Sequence, residues 1–97
     1  MSNENLNPAL TSAIDQLEAD NPAGALETIT AYLAQNPADP DGFFYQGDAL
    51  AELGRLEEAI AAYQAGIKLS PDDPDALTTL GDLQLEAGRS EEHTSEL

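Results

Sequence analysis

The side chains in this chain with the capacity for chemistry are carboxylates: 19 Asp and Glu stand against 3 Lys and Arg, with 1 histidine and no cysteine. Nucleophilic catalysis needs a hydroxyl, thiol or amine beside a base that takes its proton. His93 is the one imidazole and lies among the last residues, so a histidine-dependent triad is excluded. The lack of cysteine removes disulfide staples and thiolate metal sites, and it fits a reducing compartment. The densest carboxylates are Asp39, Asp41, Asp72, Asp73 and Asp75. Read as a calcium loop turning at Gly42, this region fails: Pro37, with no ligand atom, takes the first ligand position, and Asp48 takes the position of the bidentate Glu. These aspartates suit helix capping instead, because a short carboxylate accepts from the free N–H groups of a first turn. The expectation is no catalytic residue, no metal, no cofactor and no enzymatic activity.

The elements that position these groups follow from an internal period of 34 residues. Ala25 falls on Ala59, Pro37 on Pro71, Asp39-Pro40-Asp41 on Asp73-Pro74-Asp75, Gly47-Asp48 on Gly81-Asp82, and Leu53-Gly54-Arg55 on Ala87-Gly88-Arg89. Within each period the apolar residues recur at helical spacing, as in Phe43, Leu50 and Leu53, then Ala59, Ile60, Tyr63 and Ile67. Asp39 or Asp41 caps one helix with Pro40 in its first turn, Gly54 closes it in a left-handed conformation, and a second helix stops before Ser70-Pro71. The spacing predicts helices near 7–19, 23–35, 41–53, 56–69 and 75–87. A glycine in mid-helix, at Gly47 and Gly81, costs about 1 kcal/mol against alanine and predicts close approach of the neighbouring helix, with Ala25 and Ala59 filling the facing contact. Phe43 and Tyr63 are the bulk that wedges between successive helix pairs. One pair cannot bury its own apolar face, so stacking completes the core.

Phe43-x-x-Gln46-Gly47-x-x-Leu50, Ala59-x-x-x-Tyr63 and Pro71 together resemble the signature of the tetratricopeptide repeat, which begins again with Leu77-x-x-Leu80-Gly81. The first copy has Ala13 in place of the glycine, while Ala25, Ile29 and Pro37 hold register. Gln46 departs from the family, which has a large apolar residue there. The resemblance covers residues 6–88 and implies an all-α, right-handed solenoid of antiparallel helix pairs, about two and a half repeats long. The organisation expected is a disordered N-terminus over 1–5, a divergent repeat over 6–39, a second repeat over 40–73 and the first helix of a truncated third over 74–88.

Residues 89–97, Arg-Ser-Glu-Glu-His-Thr-Ser-Glu-Leu, break the pattern, with His93 where the period asks for a small buried residue. They resemble the in-frame translation of a sequencing-adapter oligonucleotide, so a non-native tail on a truncated gene is expected. The first helix of the third repeat then lacks its partner, leaving Leu77, Leu80 and Leu83 partly exposed and available for self-association, unless Ser90 caps a short covering helix led by Glu91 and Glu92.

The formal net charge is −16, and −14 without residues 89–97, which repels nucleic acid and anionic membranes. The opening residues hold no signal peptide and no stretch is long enough to span a membrane, so a soluble, cytoplasmic protein is expected. The resemblance implies a protein–protein interaction module whose first helices line a concave groove for a peptide or helix of a partner. Projection onto that face selects Asp41, Phe44, Asp48 and Glu52; Asp75, Thr78, Asp82 and Glu86; and Asn7, Leu10, Ile14 and Glu18. Asp48 and Asp82 are expected in one groove, with Phe44, Leu10 and Ile14 as its apolar spot. Such a face suits a basic, partly apolar segment, or is a solubilising surface. The family's clamp for a C-terminal carboxylate is set aside, because the basic residues Arg55, Lys68 and Arg89 fall outside the expected first helices. The alternatives are a self-associating structural fragment, with a possible homodimer through 75–87, and an accessory repeat region of a larger enzyme or of a secretion or assembly complex.

Overall fold

In a computed structural model the chain forms five helices in series: α1 (Pro8–Glu18), α2 (Pro22–Gln35), α3 (Pro40–Glu52), α4 (Leu56–Leu69) and α5 (Pro74–Ser95). The structure describes the backbone of residues 8–95 and the side chains of 8–88, so the expectations for 1–5, Asn7 and the His93 side chain lie outside the described residues. Each helix packs on the next, and α1 also meets α3. Among the described residues there is no strand, and the arrangement is an all-α solenoid of about two and a half helix pairs. The radius of gyration, 14.0 Å, exceeds the roughly 12.5 Å of a compact domain of this length, as stacking along one axis requires.

The starts of the helices are written in short polar residues. Asp39 accepts from the Asp41 N–H at 3.0 Å, and Asp73, one period later, accepts from the N–H groups of Asp75 and Ala76 at 3.1 and 3.3 Å. Asn21 does the same for α2, accepting from the Gly24 N–H at 3.2 Å. Pro22, Pro40 and Pro74 open their helices, where the missing N–H has no partner to lose.

The stops of α1 and α3 use left-handed residues. Gly54 has φ +84°, its N–H bonds to the Ala51 carbonyl at 3.0 Å and the Arg55 N–H to the Leu50 carbonyl at 2.9 Å. This paired closure satisfies carbonyls that the helix leaves free. Asp20, one period earlier, makes the same closure at φ +66°, with Asp20 N–H to the Leu17 carbonyl at 3.1 Å and Asn21 N–H to the Gln16 carbonyl at 2.8 Å.

The third period departs from this. The expected end of the last helix at 87 is corrected: α5 runs through Gly88 to Ser95, and Ser90 is inside it, not at the cap of a covering helix. The physical reason lies two residues after the glycine. Leu56 follows Gly54-Arg55 and packs into the core, whereas the period puts Ser90 at its place and His93 at that of Ala59. Without an apolar stripe to draw a second helix back, continued i→i−4 bonding is the cheaper path. Arg89 thus falls within a first helix after all.

Two clusters make the core. Leu10, Ala13, Ala25, Ile29, Tyr32, Leu33 and Ala49 join α1, α2 and α3, with Phe43 packed against them. Leu50, Ala59, Ala62, Tyr63, Ala76 and Leu83 join α3, α4 and α5, and Leu26 touches both clusters. The small residues act by pairs. A Cβ on Gly47 would overlap the Tyr63 ring and lie 3.2 Å from the Ala59 carbonyl, so Gly47 is what lets α4 approach α3. One period earlier, Ala13 and Ile29 hold the same positions, both fully buried, where a slimmer side chain leaves room for the methyl group.

Gly81 is different. A Cβ there would meet nothing within 4 Å, so its expected close approach is corrected: α5 has no second helix on that face among the described residues. Leu77 accordingly remains 48% exposed and Leu80 half-buried, but Leu83, expected to be partly exposed, is buried against α4 instead.

Candidate functional site

The first helices of the pairs, α1, α3 and α5, carry the residues projected onto the concave face. Glu18, Asp48 and Glu52 come together: with Leu17 and Ala51 they line a groove of about 570 Å³ between α1 and α3. Asp82 and Glu86 line a second hollow of about 330 Å³ with Thr79, Leu83 and Leu85 on α5. The two carboxylates expected to share one groove, Asp48 and Asp82, are therefore in separate hollows. Phe44 and Asp75 line a third, of about 100 Å³, with Tyr63, Asp73, Ala76 and Thr79.

Other expected members sit elsewhere. Leu10 is 2% exposed and belongs to the first core cluster, which corrects its placement on the groove. An apolar residue near the start of α1 meets α2 before it meets solvent. Ile14 is half-buried and lines none of these hollows, and Asp41 and Thr78 are exposed outside them. Phe44 is only half-exposed because it stacks on Tyr63 with centroids 5.4 Å apart, and its ring fills the space that a Cβ on Gly66 would need.

Asp48 is a half-buried carboxylate. It accepts a hydrogen bond from the Tyr63 hydroxyl at 2.5 Å. Burial pushes its carboxyl above the usual range, the Tyr63 hydroxyl opposes that rise, and Glu52 adds to it. Asp41 is also pushed up, first by partial burial and then by the charges of Asp39 and Asp73. Carboxylates from two turns one period apart thus sense each other at one end of the stack. Tyr32 donates to Asp39, and this bond, with burial and the Asp39 and Asp41 charges, pushes its hydroxyl up to about 12.

Sequence projection missed Leu17, Ala51 and Leu85 on these surfaces. The signal was present in the period. Leu17-Glu18, Ala51-Glu52 and Leu85-Glu86 are 34 residues apart, so an apolar residue followed by a glutamate recurs near the same point of each first helix. A second surface also escaped the projection, a groove of about 430 Å³ between α2 and α4 lined by Leu26, Thr30, Phe43, Gln46, Leu50 and the small side chains of Ala61, Ala62 and Ala65. Gln46, the departure from the repeat signature, lines this groove. Arg55 stands at its rim, 3.7 Å from Glu58.

Among the described residues no group of three or more potential ligands is arranged to hold a metal ion, and no helix is long and apolar enough to cross a membrane.

No curated protein matches the chain in sequence. The tetratricopeptide repeat profile matches residues 10–74 and again 52–92. These matches span both complete helix pairs and α5, including the Gly47–Ala59–Tyr63 contact that sets their spacing. Tetratricopeptide repeats are generally protein–protein interaction modules. By profile, period and helix packing, the chain belongs to the tetratricopeptide repeat family.

Proposed function

We propose that this chain binds a basic, partly apolar segment of a partner protein along the first-helix face, with no catalytic step. The observation that carries this reading is the convergence of Glu18, Asp48 and Glu52 around Leu17 and Ala51 in one groove. Apolar contact supplies area there, while a net charge of −16 steers cationic ligands towards the surface. The recurrence at Leu85-Glu86 extends the same pairing along the stack. A solubilising surface needs the charge but not an apolar strip of fixed period beside it.

The test is fluorescence anisotropy with a labelled twelve-residue peptide repeating Leu-Arg-Ala-Lys, at several salt concentrations. Binding should weaken as salt rises. Asp48→Lys with Glu52→Lys should weaken it at least tenfold, and Asp82→Lys should do so less. Equal affinity in all variants would place the ligand elsewhere.

A second reading rests on a separate observation. Leu77 and Leu85 are 48% and 63% exposed and Gly81 opens onto free space, which makes α5 a surface for a second copy of this chain. Like charge opposes that pairing, so light scattering should show any dimer growing with salt and lost in Leu77→Lys.

A further inference from the structure

The small hollow between the second and third helix pairs is chemically distinct from the grooves beside it. Its walls are the Phe44 and Tyr63 rings from α3 and α4, closed on the α5 side by Ala76 and Thr79. Asp73 and Asp75 stand at its rim. At about 100 Å³ it holds roughly three waters' worth of volume, which admits the end of one side chain and excludes a backbone. We propose that this hollow is a subsite for the cationic end of a single lysine or arginine side chain of the bound segment.

The argument is one of complementarity. Aromatic walls attract a cation through the ring quadrupole, and they accept the methylene stem of Lys or Arg as readily as any apolar group. Two carboxylates at the rim give the charge its partner. The N-terminus of α5 is nearby and presents about half a positive charge. Two full negative charges at Asp73 and Asp75 outweigh it. Asp73 spends Oδ1 on capping α5, bonding the N–H groups of Asp75 and Ala76, while Asp75 is exposed. The Asp73 charge also reaches Tyr63 and Asp41, helping to push both their protons to higher pH, so the negative field is felt across the hollow and beyond its rim. An anionic group would meet that field with only the Thr79 and Tyr63 hydroxyls to offset it.

The position is set by the fold. Phe44 is held by its stack on Tyr63 and by the absence of a side chain at Gly66, and Tyr63 is held by its bond to Asp48. The walls therefore stand without a ligand. One period earlier, Leu10, Ile29 and Tyr45 stand in the places of Phe44, Tyr63 and Thr79, and Leu10 and Ile29 are buried in the core without an aromatic wall. The subsite is in consequence specific to the junction of the second and third pairs.

This subsite rests on the proposed binding of a basic segment, and the experiment separates the two. Amide NMR spectra of the full chain are recorded during titration with N-acetyl-arginine amide, N-acetyl-lysine amide and N-acetyl-norleucine amide. The Leu-Arg-Ala-Lys peptide is measured by anisotropy in parallel. Saturable shifts at residues 44, 63 and 73–79 with the two cations and not with norleucine support the subsite. Asp75→Asn should weaken the cation titrations by about fivefold, the scale of one exposed ion pair. Thr79→Leu, which fills the hollow, should abolish the local shifts while circular dichroism stays unchanged. Thr79→Ser, leaving the hollow open, should retain them. Shifts scattered over all carboxylates, or insensitive to both Asp75→Asn and Thr79→Leu, overturn the subsite even where the peptide binds. Local shifts with no peptide binding keep the subsite and overturn the wider reading.

Discussion

Glycine at one repeat position has opposite consequences in two repeats, and that difference is open to measurement. Gly47→Ala must push its methyl into the Tyr63 ring, which no exposed route relieves, so a loss of about 1–3 kcal/mol is expected from urea denaturation. Gly81→Ala meets empty space and gains helix propensity, so a rise of up to about 1 kcal/mol is expected. Two variants of equal sign would mean that α3 and α5 are packed alike. Asp20 offers a second test, because it alone among the described non-glycine residues takes a positive φ, at +66°. Asp20→Gly should stabilise the chain by about 0.5 kcal/mol, since glycine reaches that conformation without the Cβ penalty. A loss of stability would reveal a compensating interaction of the Asp20 carboxylate.

At the scale of elements, the contact of α4 with α3 turns on Tyr63. It fills the space opened by Gly47, stacks on Phe44 and donates to Asp48. Tyr63→Phe keeps the ring and removes only the donor, so thermal unfolding should show a loss of about 1 kcal/mol at neutral pH. The loss should shrink as Asp48 takes up a proton, because the bond to a charged acceptor is the stronger one. A loss that stays constant from neutral to acidic pH would assign it to packing. These pairings were largely legible beforehand. Gly47, Ala59 and Tyr63 stood at the right spacing, as did the caps at Asp39 and the stop at Gly54. Leu10 and Leu83 were placed on the wrong side of their helices, because an apolar residue can satisfy either neighbour and periodicity alone does not say which helix lies against it.

For the whole molecule the governing quantity is charge. Asp41 and Asp48 hold their protons to higher pH in the folded chain than in the unfolded one. A group of this kind stabilises the fold fully below its unfolded value and no longer does so above its folded value. Stability should therefore rise as pH falls from neutral towards the carboxylate range, and the relief of repulsion among 19 acidic side chains works in the same direction. Asp48→Asn should raise the Tm at neutral pH and flatten that dependence. The tyrosines set the alkaline limit. Tyr32, Tyr45 and Tyr63 are all raised, so their contribution is present below the ordinary tyrosine value of 10.0 and is lost as pH climbs through the raised values, about 12 for Tyr32. Tyrosine ionisation by ultraviolet absorbance should coincide with loss of helicity; ionisation well before unfolding would show these hydroxyls to be solvent-facing.

The sequence by itself determined the family, the period, the places where helices start and stop in the two complete pairs, and the acidic character of the surface. Each of these is local: a cap, a left-handed stop or a small residue acts over a few positions, and repetition at 34 residues multiplies the signal. Only the tertiary structure decided which carboxylates share a groove, that Leu17 and Ala51 line it, that Phe44 and Tyr63 wall a separate hollow, and that α5 continues past Gly88. Those outcomes depend on how far each helix is rotated and which neighbour covers it. A residue on a helix face has two or three candidate partners, and the choice among them is made by packing across the whole stack.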